Sequence, residues 1–186
     1  MNTATVPGRW VPNAITLARM AATPAIVWLL ATQAHMAALW LTLLAAASDA
    51  LDGLLARRCG WRTRLGALLD PAADKLLVNA LFVGLWLGGV LPGWLAALTF
   101  LRDLVLLVGA VAWRLRRGPL EIAPSALGKL ATFAQLALVL GALAGLALDV
   151  EVAAPVAAGI WVVAALTVAA GLDYVVRWSR RARTGP

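Results

Sequence analysis

Long apolar runs separated by short polar turns dominate the chain, and their lengths predict membrane-crossing helices. A helix needs about 20 residues to cross a hydrocarbon core about 30 Å thick. Six stretches qualify, at residues 15–33, 36–55, 65–90, 93–114, 126–148 and 152–175. The first reads as a retained span and not a secretory leader, because Arg19 interrupts it early, Pro24 breaks it and no separate basic start precedes it. Residues 2–12, with Pro7, Gly8, Arg9, Trp10 and Pro12, read as an interfacial lead-in, disordered at its start.

The connections alternate in charge. Arg9 precedes the first run; Arg57, Arg58, Arg62 and Arg64 separate the second from the third; Arg114, Arg116 and Arg117 follow the fourth; Arg177, Arg180, Arg181 and Arg183 close the chain. The intervening loops, 33–35, 89–92 and the Asp149/Glu151 stretch, carry no Lys or Arg. By the positive-inside rule both termini face the cytoplasm. The loops leave no room for a second domain, so residues 1–186 read as one all-α integral membrane bundle of six transmembrane helices in the inner (cytoplasmic) membrane.

Composition agrees: 62% of the 186 residues are hydrophobic and 13% charged, with a mean hydropathy of +0.86. Soluble domains are about half apolar and a quarter charged, so a soluble globular enzyme is excluded. The net charge of +7 is orientation signal and anionic-lipid attraction, since no polar basic domain exists to hold nucleic acid. Cys59 alone excludes a disulfide framework, and His35 alone, read as a solvated loop residue, excludes a poly-histidine zinc site. Any metal must therefore be held by oxygen. The nine Trp residues read mostly as interface anchors.

Four of the nine acids flank one cytoplasmic loop. Asp49 and Asp52 are three apart at the end of the second run, and Asp70 and Asp74 four apart at the start of the third, so each pair shares a helix face. If the two spans pack antiparallel, the faces can meet. Clustered carboxylates near a bilayer persist only when cations neutralise them. Oxygen donors without Cys or His select Mg²⁺ or Mn²⁺, or Ca²⁺ in a looser site, and four are enough to bridge two divalent ions, as in phosphoryl transfer. The bland alternative makes them helix caps and flanks; Asp70 before Pro71 does look like an N-cap.

The whole stretch reads Asp49, Asp52, Gly53, Ala56, Arg57, eight residues, Gly66, Asp70, Asp74. It resembles the signature D-x-x-D-G-x-x-A-R-x8-G-x3-D-x3-D of the CDP-alcohol phosphatidyltransferase family, with no departure at a fixed position. Eight such positions coincide by chance at about 10⁻¹⁰ per starting point. Upstream, Pro12, Asn13, Ile15, Thr16 and Arg19 are similar to the family's first-helix segment. Downstream, Arg102-Asp103 and Ser125-x-x-Gly128-Lys129-x-x-Thr132-x-x-Gln135 resemble the branch that makes phosphatidylglycerophosphate and cardiolipin.

The resemblance implies a transferase that displaces CMP from CDP-diacylglycerol by an acceptor hydroxyl, without a covalent enzyme intermediate. It assigns Asp49, Asp52, Asp70 and Asp74 to two divalent ions, Mg²⁺ or Mn²⁺, with Asp74 also the general base. Asn13, Ala14, Ile15, Thr16, Gly53, Ala56, Arg57, Thr63 and Gly66 fall to the nucleotide and CDP-lipid, and a homodimer is implied. A glycine at position 53 admits close approach of a ligand to the backbone, and a guanidinium at position 57 suits two phosphate oxygens. Gly53 and Gly66 can also be read as helix-packing glycines, and Thr63 as a loop hydroxyl.

Arg102 and Lys129 stand apart from the loop arginines. A cation inside a span needs an anion, and the phosphate of an acceptor supplies one; the alternatives are a pair between Arg102 and Asp70 or Asp74, and a snorkelling Lys129. For Lys75 and Arg19 the substrate and structural readings balance. The expected acceptor is glycerol 3-phosphate. Phosphatidylglycerol, which would make the protein a cardiolipin synthase, is the alternative, favoured by Asp103 where Arg-Glu is more usual. A divalent-cation carrier is the reading from another class; it requires ionisable groups along a path through the bilayer, and the outer half of the spans is nearly free of them.

Overall fold

A computed structural model of the chain describes residues 11–58, 66–117 and 125–184, and among these the side chains of 14–48, 72–113, 115 and 125–179. The described residues form six helices: α1 (Val11–Ala31), α2 (His35–Arg58), α3 (Gly66–Leu87), α4 (Gly93–Arg117), α5 (Ala126–Ala147) and α6 (Ala153–Thr184). Each predicted run corresponds to one helix. The apolar stretches of α1, α4, α5 and α6 are long enough to cross a membrane unaided, whereas the apolar part of α2, His35–Ser48, is shorter. In α3, Asp74 and Lys75 interrupt the apolar surface.

Three corrections to the sequence reading arise here. Pro24 does not break α1, which runs through it. Proline removes one amide donor from the ladder, the one that would meet the Met20 carbonyl, and a packed membrane helix tolerates that loss; next to it the Thr23 hydroxyl donates to the Arg19 carbonyl at 3.0 Å. His35 is the half-buried first residue of α2 and not a loop residue. Positions 11 and 12 belong to α1, while the rest of the expected lead-in, Cys59 and Thr63 lie outside the described residues.

The connections α1–α2, α3–α4 and α5–α6 are tight turns at one end of the bundle, built alike. Gln33, Gly89 and Asp149 adopt left-handed conformations with φ of 60°, 77° and 54°. In each, the following amide reaches back to a carbonyl five residues earlier: Ala34 to Leu29 at 2.8 Å, Val90 to Leu85 at 2.8 Å and Val150 to Gly145 at 2.9 Å. This ending satisfies carbonyls that a helix terminus otherwise leaves bare.

Among the described residues the helices pack in the cyclic order α1, α3, α4, α6, α5, α2, with α3 also touching α5 across the middle. Thus α2 and α3 do not pack directly there; α1 lies against both. The core, including Ile26, Leu30, Phe82, Leu85, Leu95 and Leu143, occupies the half nearest the tight turns. Outside, Phe100, Leu104, Leu107, Val108 and Val111 of α4 are exposed, a continuous apolar surface that only a bilayer or another apolar partner would cover. The chain is a multi-pass membrane protein.

Gly84 permits a close approach of α3 to α1. A methyl group there would lie 2.5 Å from Leu30 Cδ1 and 2.9 Å from Leu30 Cβ, and Leu30 is itself buried. Gly84→Ala is therefore expected to separate α1 from α3 at a cost of about 1–3 kcal/mol, the usual range for overpacking. Thermal unfolding in detergent checks this: a wild-type midpoint would show that Leu30 swings aside freely.

Candidate active site

Among the described side chains, the buried charges lie away from the tight turns, where only the exposed Asp149 and Glu151 carry charge. Arg19, two turns into α1, has a fully buried side chain, and its Nη1 donates to Asp74 Oδ1 of α3 at 3.0 Å. The Asp74 side chain is 56% exposed. A guanidinium inside a membrane bundle persists where carboxylates and carbonyls meet it, and this pair ties α1 to α3 at the level where the family signature ends.

One turn along, Asp103 of α4 gathers three donors. Lys75 Nζ and Arg102 Nη1 each stand 2.8 Å from Asp103 Oδ1, and Asn79 Nδ2 lies 3.3 Å from Oδ2 while also donating to the Lys75 carbonyl at 2.9 Å. Arg102 thus pairs with its chain neighbour, an arrangement that neither sequence alternative anticipated. Its side chain is 6% exposed, and its Nε has no hydrogen-bond partner among the described residues. A buried charged donor left unmet is costly, and an incoming anion is the natural remedy.

Such an anion has a place. A cavity of about 410 Å³ is lined by Lys75, Arg102, Leu106, Gly128, Lys129, Thr132 and Tyr174, contributed by α3, α4, α5 and α6. It brings together Arg102 and Lys129, the two residues expected at an acceptor phosphate, and adds Lys75. Gly128 lets the helices close around it: a methyl group there would stand 3.2 Å from the Tyr174 ring and 3.5 Å from Arg102 Nη2. The sequence reading missed Tyr174 and Asn79. The first was visible as the chain's one tyrosine, set inside an apolar run; the second lies four residues after Lys75, on the same helix face.

The motif on α5 resolves into separate tasks. Ser125 caps the helix, its Oγ accepting from Gly128 N at 3.0 Å. Thr132 lines the cavity and donates to the Gly128 carbonyl. Gln135 Nε2 donates to Thr167 Oγ1 at 3.0 Å, both residues being buried, and so joins α5 to α6. On α1, Thr16 is buried, and Ala14 and Ile15 are half-buried.

The remaining expected residues lie on described helices, but their side chains do not fall among the described ones. Asn13 is in α1; Asp49, Asp52, Gly53, Ala56 and Arg57 are in α2; Gly66 and Asp70 are in α3. The described residues alone form no metal site, because three of the four aspartates are outside them. The donor set nevertheless fits a hard divalent cation: carboxylates spaced three apart on α2 and four apart on α3, one of them, Asp74, exposed enough to reach an ion.

Fold and cavity together define the class, a multi-pass helical membrane protein with a cationic pocket among its helices. Sequence comparison supplies the family: the chain belongs to the CDP-alcohol phosphatidyltransferases, whose profile matches residues 9–172. The family uses divalent metal ions. Among relatives, the chain is 37% identical over 173 residues to a probable phosphatidylglycerophosphate synthase of Mycobacterium tuberculosis, covering 89% of this chain and 79% of that protein. It is 40% identical over 129 residues to a cardiolipin synthase (CMP-forming) of Streptomyces coelicolor, covering 66% of this chain and 60% of that one. Against a chloroplastic CDP-diacylglycerol–glycerol-3-phosphate 3-phosphatidyltransferase of Oryza sativa, it is 38% identical over 101 residues, 54% of this chain and 31% of the relative.

Proposed function

We propose that the protein transfers the phosphatidyl group of CDP-diacylglycerol to a hydroxyl of glycerol 3-phosphate, giving phosphatidylglycerophosphate and CMP at the cytoplasmic face of the inner membrane. The observation that carries the acceptor is the cationic cavity beginning one residue from Asp74. Lys75, Arg102 and Lys129 line it, and the one carboxylate that meets Lys75 and Arg102, Asp103, leaves an excess of two positive charges. A phosphate monoester, whose second pKa is about 6, carries close to two negative charges at pH 7; the diester of phosphatidylglycerol carries one.

In this reading Arg57 and the backbone at Gly53 receive the diphosphate, with Asn13, Ala14, Ile15, Thr16, Ala56, Thr63 and Gly66 around the nucleotide. Lys75, Arg102 and Lys129 hold the acceptor phosphate and so aim its hydroxyl at the phosphorus that bears diacylglycerol. The oxygen bonds to that phosphorus, the bond to the CMP oxygen breaks, and its electron pair leaves with CMP. The hydroxyl proton passes to Asp74, which Arg19 holds in place. Divalent ions bound by Asp49, Asp52, Asp70 and Asp74 would supply neutralisation of the phosphoryl charge.

Cardiolipin synthesis, with phosphatidylglycerol as acceptor, is the second reading, favoured by the Streptomyces relative. A cation carrier is disfavoured by the apolar core that closes the tight-turn half of the bundle. Purified protein given labelled CDP-diacylglycerol, Mg²⁺ or Mn²⁺, and separately glycerol 3-phosphate, phosphatidylglycerol, inositol phosphate or serine distinguishes the readings. CMP release is expected with glycerol 3-phosphate alone. Release with phosphatidylglycerol alone would replace the acceptor, and none from folded protein with any of them would count against the reaction class.

A further inference from the structure

Two cations share one oxygen in this bundle, and that arrangement has a chemical purpose beyond pairing. Lys75 Nζ and Arg102 Nη1 are both 2.8 Å from Asp103 Oδ1, so they stand no further apart than twice that distance. Left alone, like charges so close repel, and the Lys75 side chain, 41% exposed, has water to move into. Arg102, at 6% exposure, has not. Asp103 is the group that holds the mobile cation beside the fixed one, and Asn79 steadies its other oxygen. Neighbouring oxygens of a single phosphate lie close enough together to meet both cations at once.

We propose that Asp103 is the positioning and specificity-determining residue of the acceptor site: by clamping Lys75 to Arg102 and cancelling one of three positive charges, it tunes the cavity to a dianionic phosphomonoester. The inference rests on the acceptor reading above. It also gives the Arg102-Asp103 pair a role of its own, independent of the metal-bearing signature. A carboxylate is required for this, since an amide of the same shape neither attracts the ammonium strongly nor offsets its charge.

The test compares wild type, Asp103→Asn and Asp103→Glu in CMP release, with glycerol 3-phosphate and CDP-diacylglycerol varied in turn. Asp103→Asn is expected to raise the acceptor KM about tenfold or more, leave KM for CDP-diacylglycerol at the wild-type value, and narrow the preference for glycerol 3-phosphate over phosphatidylglycerol. Asp103→Glu, which keeps the charge, should recover most of the affinity. An unchanged acceptor KM in Asp103→Asn would overturn the inference alone, as would equal impairment of both variants, the mark of a merely structural residue. A wild-type protein that ignores glycerol 3-phosphate would overturn the acceptor reading and the inference together.

Discussion

Asp74→Asn is expected to lower CMP release by at least about 10²-fold, within the usual range for loss of a general base, while Mn²⁺ still binds, more weakly than to wild type. The substitution is nearly isosteric, and the amide oxygen can still accept from Arg19, whose Nη1 holds Asp74 Oδ1 at 3.0 Å. The side chain is more than half exposed, so the fold should tolerate the change. What an amide cannot do is take a proton from an approaching hydroxyl. Electron paramagnetic resonance of added Mn²⁺ separates the two roles of the residue. Retained turnover would remove Asp74 from the base role, and complete loss of Mn²⁺ binding would make it chiefly a ligand.

The architecture was largely legible in the sequence because a bilayer imposes a length on each apolar run, and the arginine-free connections at 33–35 and 89–92 mark where the tight turns fall. Pro24 was misjudged for a physical reason: inside a packed bundle a proline costs one hydrogen bond, and surrounding contacts outweigh it. The neighbour relations of the helices were not legible. Periodicity says which face is apolar and not which helix it meets, so packing of α2 on α3 could be stated only as a condition; among the described residues α1 packs against both.

Within the site, legibility followed spacing. Arg102 and Lys129 could be singled out as cations set apart from the loop clusters, since a charge in a span demands an explanation. Their convergence on one cavity with Lys75 required the fold, because the three come from different helices. Arg19 was balanced between substrate and scaffold in the sequence; its contact with Asp74 gives it a task that serves both, holding the carboxylate proposed as the base. Asp103 was noticed only as a departure from the commoner Arg-Glu, and its three donors come from two helices.

Arg102→Ala should reduce kcat/KM for the acceptor by about 10²–10³-fold and leave the affinity for CDP-diacylglycerol unaltered. Hydrogen bonds to charged groups contribute about 1.5–3 kcal/mol each, and a guanidinium meeting a phosphate makes two, so about 3–4 kcal/mol of acceptor binding is at stake after allowance for Lys75 and Lys129. Folding should survive, since Asp103 keeps Lys75 and Asn79 as partners and removal of a buried cation relieves its desolvation. Arg102→Lys should fall between the two: it restores the charge but not the planar fork, and the shorter reach of an ammonium cannot serve Asp103 and the phosphate at once. Initial rates with each substrate varied in turn decide the matter. A loss shared equally between donor and acceptor would place Arg102 in the general scaffold, and an unimpaired Arg102→Ala protein would move the acceptor phosphate out of this cavity.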